Sequence, residues 1–193
     1  MPTLTGPLRS RMLITPKEYP PLINFCCGKD RLEEHEVNAQ VHRICAEIAR
    51  AGWIAVVLEK PSERDATGHP SLIGVCCVTN SVLPGVPGVE EGSEGGYIGA
   101  FGTDLQYRKF VLEDGQTRPG NALMQEALKA IEAMFGGPPM VYVFAKVKRT
   151  NTASKRLHDE HGFDDTGNTQ GEHLLFRPPG LEPTFTREPS WSV

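Results

Sequence analysis

The sequence has no apolar run long enough to cross a membrane: its longest runs, such as Trp53 to Leu58, fall far short of the roughly 20 residues that a spanning helix needs. Arg9 and Arg11 stand near the N-terminus, but no apolar stretch follows them, so we expect no signal peptide. The five cysteines include no Cys-x-x-Cys pair, so we expect no structural zinc site. These absences predict a cytoplasmic protein with reduced thiols, no bound metal and no membrane partner.

An excess of positive charge is also missing. The formal net charge is -4, whereas a general nucleic-acid binder presents a basic face. The composition is otherwise that of an ordinary globular protein, and 193 residues fit one domain. A local basic patch stays open, and its candidate members are Lys146, Lys148, Arg149, Lys155 and Arg156.

The hydrophobic pattern predicts a single domain over 1–193, with a core at about 22–177 and Pro-rich, irregular termini at 1–21 and 178–193. Helices are predicted over 31–50, 121–135 and 151–161. Strands are predicted at 22–25, 53–58, 72–78, 97–104, 140–147 and 173–176, with a hairpin turn at 61–70 and a loop at 80–96. This order is typical of an α+β protein with one crossover, and not of a repeating βαβ array.

The most informative stretch is 97–163, and the strand predicted at 97–104 opens it. A turn leads from there into a helix, and its residues are Thr117, Arg118, Pro119, Gly120, Asn121 and Ala122. Free backbone N–H groups and the positive end of a helix dipole suit a pyrophosphate, to which Arg108 and Arg118 would add charge-assisted contacts. The same order of strand, turn and helix also occurs in many folds as a purely structural turn. It is neither a Walker loop nor a dinucleotide fingerprint.

Two motifs of this stretch resemble the Gcn5-related N-acetyltransferase (GNAT) family. Tyr107-Arg108, followed by Gly120-x-Ala122-Leu123, is similar to the acetyl-CoA loop of the family. Asn151-x-Ala-Ser-x-Arg-Leu with a terminal His-Gly-Phe is similar to its second cofactor motif. The resemblance implies a mixed, mostly antiparallel twisted sheet that is flanked by helices and splayed between strands four and five, and it implies acetyl-CoA as the co-substrate.

The resemblance also implies a cofactor site. The pantetheine arm is expected against the strand at Phe101, Gly102 and Thr103, with Asn151 and Ser154 facing it from the other side. The pyrophosphate is expected at the turn described above, with Arg108 nearby. Two departures affect that turn: Thr117 stands where the family usually has Gln or Arg, and an insertion separates Arg108 from the glycine. Asn151 is explained equally well as a helix N-cap.

A catalytic pair follows from the same resemblance. His158 stands where many members carry a tyrosine that protonates the leaving thiolate, and a histidine can donate a proton near neutral pH. The alternatives for His158 are a polar helix residue beside His161, or a metal ligand together with it. The family often places a basic glutamate near the start of strand four, which makes Glu94 the candidate base. The alternatives for Glu94, as for Glu90 and Glu91 of the same loop, are simple solvation or attraction of a cationic amine.

The expected activity is transfer of an acetyl group to a primary amine of a small molecule or peptide, and a homodimer is left open. A second interpretation comes from Phe25-Cys26-Cys27-Gly28, which is similar to the opening of GNAT toxins of toxin–antitoxin pairs. Those toxins acetylate aminoacyl-tRNA, and only in that case is a nucleic acid expected as a partner. A third interpretation is an acyl-CoA-binding module without catalysis, because the tyrosine is missing and the loop is irregular.

Overall fold

The computed structural model describes residues 1–14, 18, 22, 25–28, 30, 32–85, 88–135, 142–169 and 171–180, except the side chains of 32–33, 44–51 and 168–169. The described chain forms one seven-stranded sheet in the order β1-β2-β3-β4-β5-β7-β6. Its strands are β1 (Arg9–Leu13), β2 (Ile54–Arg64), β3 (Pro70–Val82), β4 (Glu94–Thr103), β5 (Val143–Lys148), β6 (Asp164–Thr169) and β7 (Glu172–Arg177). Its helices are α1 (Leu32–Ala51), α2 (Pro119–Met134) and α3 (Thr152–Glu160). No helix in the described ranges is long and apolar enough to cross a membrane.

The pairing of the strands confirms the α+β class and the mostly antiparallel sheet. Neighbouring strands run antiparallel at every pair except β4 and β5, which are parallel because α2 crosses over between them. The three predicted helices and the strands predicted from residue 53 onward each overlap an observed element. The strand predicted at 22–25 falls largely outside the described residues.

Three expectations need correction. Residues 9–13 are not irregular but form β1, and β6 was not predicted at all. Both strands lie at the edges of the sheet; β1 has one buried residue, and β6 is polar throughout, so neither shows the apolar alternation of a half-buried strand. The hairpin turn is also shorter than predicted, since β2 continues to Arg64 and the side chain of Asp65 accepts the turn's N–H groups from Thr67 and His69.

The core has a layer on each face of the sheet. One layer packs α2 against the sheet through residues such as Leu123, Met124 and Ile131. The other layer packs α1 against it around Val41 and Val57. Leu4 and Leu8 are buried in the α2 layer, so the packed core starts well before residue 22.

The predicted splay between β4 and β5 is present. The two strands pair only at Gly96–Val143, Tyr97–Phe144 and Ile98–Ala145. The β3–β4 register shifts just beyond, since Val78 faces Ile98 whereas Cys77 faces Ala100. Gly99 is therefore the extra residue of a β-bulge, and Ile98 packs in the α2 layer while Ala100 packs in the α1 layer. The bulge stands where β4 separates from β5, which leaves the edge of β4 from Gly99 to Thr103 facing a gap.

Candidate active site

The gap between β4 and β5 opens into two clefts that meet. The large cleft lies between α2, α3 and the end of β4, and the small cleft lies under α1, between β4, β5 and β7. Both are lined by Val37, Phe101, Asn151 and Ser154. A ligand could therefore pass through the sheet at this point, with one end in each cleft.

The large cleft brings together most of the residues expected to bind a cofactor. They are Phe101, Gly102, Thr103, Arg108, Arg118, Pro119, Gly120, Asn121, Asn151 and Ser154. Thr117 and Ala122 are not in its lining. Thr117 donates its backbone N–H to Asp114 Oδ1 at 2.8 Å, and Ala122 is buried in the α2 layer.

The N-terminus of α2 is open toward the large cleft. Arg118 occupies the N-cap position without a side-chain cap, and Pro119 starts the helix. A Cβ added at Gly120 would lie 3.5 Å from Thr103 Oγ1 and 4.0 Å from Leu157 Cδ2, which are ordinary contacts. The packing of the protein itself therefore does not require glycine here. An anion that approaches the helix N-terminus closely would require it.

Helix α1 contributes an acid that the sequence did not reveal. Glu34 is 8% exposed, accepts the backbone N–H of Asp30 at 3.0 Å and forms an ion pair with Arg108. Its place on α1 is distant in sequence from the motif that contains Arg108, so no spacing could have indicated the pair. Cys27 lines the same cleft, and burial raises the pKa of its thiol to about 11.

Asn151 does act as the N-cap of α3. Its Oδ1 accepts the backbone N–H of Ser154 at 3.1 Å, while its side chain also borders both clefts. The structural role is therefore present, and the position remains suited to the predicted contact with a ligand.

His158 lies inside the fold at the small cleft. It is 1% exposed, its Nδ1 lies 2.8 Å from the carbonyl oxygen of Ser154, and its ring meets the ring of Phe163 edge-on at 4.8 Å. Burial lowers the pKa of His158 to about 4. Near pH 7 the ring is then neutral. The expected role of His158 as a proton donor stays a prediction, and this environment argues against it.

Glu94 is the first residue of β4 and lines neither cleft. It is exposed and accepts a hydrogen bond from Asn80 Nδ2 at 2.7 Å. Seven residues separate it from Phe101, a distance of about 20 Å along a strand. The base role of Glu94 therefore stays a prediction without support from its position.

The small cleft instead presents acids from other elements. Glu36 of α1 and Glu172 of β7 line it, together with Tyr97, Lys146 and Lys148. Glu36 forms an ion pair with Lys148. Glu36 and Glu172 were not predicted, since only the folded sheet brings β5, β7 and α1 to the same opening.

No protein-family model matches the chain, and no curated protein matches it in sequence. Solved structures do match. AtaTR bound with acetyl-CoA is 17% identical over 89% of this chain and 93% of that one, with a TM-score of 0.59. AtaT complexed with acetyl-methionyl-tRNAfMet is 14% identical over 89% and 95%, with a TM-score of 0.61. A putative GNAT-family acetyltransferase from Desulfovibrio desulfuricans is 16% identical over 88% and 96%, with a TM-score of 0.53. Identities this low establish the fold, and this chain has the fold of the GNAT acetyltransferases.

Proposed function

We propose that this chain is an acetyl-CoA-dependent N-acetyltransferase that moves the acetyl group directly to a primary amine. The observation that carries the proposal is the splay between β4 and β5, with the open N-terminus of α2 and Gly120 at its mouth. Structures that share this fold include one bound with acetyl-CoA, which supports the choice of co-substrate.

The large cleft fits the cofactor. The backbone N–H groups at Gly120 and Asn121 would hold the pyrophosphate at the positive end of α2, and Arg118 would add charge. The edge of β4 at Phe101 to Thr103 would pair with one amide group of the pantetheine arm, as another strand would. Acetyl-CoA supplies the acetyl group as a thioester, and the meeting point of the two clefts is where this chain would present it.

The amine would enter from the small cleft. Glu36 and Glu172 would attract a cationic amine, while Lys146 and Lys148 limit the net negative charge of the opening. Holding the two substrates at one point in the sheet converts an encounter of two molecules into a step within one complex, which is a large part of the expected rate gain.

Two measurements test the proposal. Acetyl-CoA and CoA should raise the melting temperature of the protein, whereas NAD and ATP at the same concentration should raise it far less. A free-thiol assay over a panel of primary amines should then detect CoA release that depends on both substrates. If millimolar acetyl-CoA leaves the melting temperature unchanged, the proposal fails.

The toxin interpretation is the second candidate, because AtaT, a toxin of the same fold, has been captured with acetyl-methionyl-tRNAfMet. The charges of the expected basic patch argue against it for this chain. Three of its five members are already paired with acids: Lys148 with Glu36, Lys155 with Asp159, and Arg156 with Glu160. Acetylation of aminoacyl-tRNA, but of no free amine, would favour the toxin. Acetyl-CoA binding without turnover of any acceptor would favour the non-catalytic module.

A further inference from the structure

His158 is one of the most deeply buried polar side chains of the described chain, and one of its two ring nitrogens has no protein partner. Nδ1 lies 2.8 Å from the carbonyl oxygen of Ser154. Nε2 is buried and has no hydrogen-bond partner among the described residues. Buried polar atoms of native proteins nearly always have a partner, so an unsatisfied one at a cleft points to a ligand.

The contact with Ser154 decides where the ring carries its proton. A carbonyl oxygen only accepts, so at 2.8 Å the Nδ1 atom must be the donor. The opposite tautomer would set the Nδ1 lone pair against the carbonyl oxygen. In the neutral ring Nε2 is then unprotonated, and it can accept a hydrogen bond but cannot donate one.

The position of the ring selects the ligand group. His158 borders the gap from the α3 side, beside Asn151 and Ser154, and its ring centroid lies 6.5 Å from that of Phe101 on the edge of β4. A ligand that reaches from the large cleft past Phe101 into the small cleft meets this ring. The part of CoA that fits such a narrow passage is its extended pantetheine arm, which carries two amide N–H groups.

We propose that His158 Nε2 accepts a hydrogen bond from a pantetheine amide N–H of the cofactor, and so positions the thioester without exchanging a proton. The inference rests on the proposed acetyl-CoA function and changes the role of His158 from acid to acceptor. The proton released by the attacking amine then balances the one taken up by the leaving thiolate, with His158 neutral throughout.

Nitrogen-15 NMR of the full-length protein labelled at histidine tests the inference directly. His158 is assigned by comparison with the His158→Gln variant, and CoA is added to saturation while calorimetry reports binding. We expect Nδ1 protonated and Nε2 unprotonated in the free protein, with the Nε2 resonance moving upfield when CoA binds. Either a protonated Nε2 in the free protein or an unmoved Nε2 with CoA bound would overturn the inference alone. Absence of CoA binding would overturn the proposed function as well.

Affinity measurements separate this role from simple packing. His158→Phe removes the acceptor and should weaken CoA binding about fivefold, the usual value of one hydrogen bond. His158→Gln, whose Oε1 can accept from a similar place, should stay within about twofold of the unsubstituted protein. His161→Gln is the matched control, since it changes the other buried histidine of the same segment and should leave CoA affinity unchanged. Equal losses in the Phe and Gln variants would show that His158 only packs.

Discussion

Gly120 is the residue on which the proposed cofactor site depends most directly. A Cβ at this position would make only ordinary van der Waals contacts. Gly120→Ala should therefore change the free energy of unfolding by no more than about 0.5 kcal/mol. Gly120→Glu should abolish the stabilisation by acetyl-CoA, because its carboxylate would occupy the place of the pyrophosphate and repel it. Thermal shifts with and without acetyl-CoA measure both effects. A folded Glu variant that still binds like the unsubstituted protein would show that the pyrophosphate lies elsewhere.

The two buried histidines make stability depend on pH. Burial lowers the pKa of His158 and of His161 to about 4, against about 6.5 in the unfolded chain. Between these values the unfolded state binds more protons, so stability is complete above about pH 7 and falls as the pH drops toward 4. At pH 5 the loss from His158 alone should be about 2 kcal/mol.

Urea denaturation at pH 7.5 and pH 5 measures that loss. The double variant His158→Gln, His161→Gln serves as the control, because carboxylates that titrate in the same range affect both proteins alike. A loss of the same size in the double variant would mean that the histidines are not the cause.

The bulge of β4 is the feature that shapes the gap at the level of secondary structure. A Cβ at Gly99 would lie 2.6 Å from Trp53 Cζ3 and closer still to Cη2. Gly99→Ala should therefore lower stability by about 1–3 kcal/mol, the usual cost of overpacking. Trp53→Phe removes the second ring and should relieve the clash, so the double variant should lose less stability than the sum of the single variants. Strictly additive losses would indicate that the strain lies in the backbone of the bulge.

Helix α1 reaches the large cleft through Glu34, which is paired with Arg108. Glu34→Gln keeps the shape of the side chain and its contact with Asp30 but frees the positive charge of Arg108. CoA affinity should rise severalfold at low salt, and the gain should shrink as salt screens the charge. Glu36→Gln is the matched control on the same helix, since its partner Lys148 lines only the small cleft. An unchanged CoA affinity in Glu34→Gln would show that Arg108 does not contact the cofactor.

At the scale of the whole molecule, one ligand would hold together parts of the chain that are distant in sequence. The cofactor would touch β4, α2 and α3, which all line the large cleft. A ligand that binds only the folded state at a hundred times its dissociation constant stabilises it by about 2.7 kcal/mol. The free energy of unfolding, taken from denaturation curves, should rise with the logarithm of the acetyl-CoA concentration. It should reach this gain at a hundred times the dissociation constant. A gain that stops growing far below this value would mean that the unfolded chain also binds acetyl-CoA.

The sequence by itself determined the parts that depend on neighbours along the chain. The apolar spacing of α1 and α2, the cap at Asn151 and the turn before Gly120 all rest on contacts within a few residues, so they could be predicted. The family resemblance added the splayed sheet. The edge strands β1 and β6 were not predicted. Each pairs with a neighbouring strand on one side only, and β1 buries a single residue, so the sequence carries little of the apolar alternation that marks a strand.

Only the tertiary structure decided which charges meet at the clefts and in what protonation state. Glu34, Glu36 and Glu172 reach the clefts through the packing of α1 and β7, whereas Glu94, the nearest acid by motif, lines neither cleft. His158 appeared as an acid by its place in the motif, yet its burial keeps it neutral. The physical reason is that desolvation and long-range contacts set these properties, and both depend on surroundings that the chain acquires only when it folds.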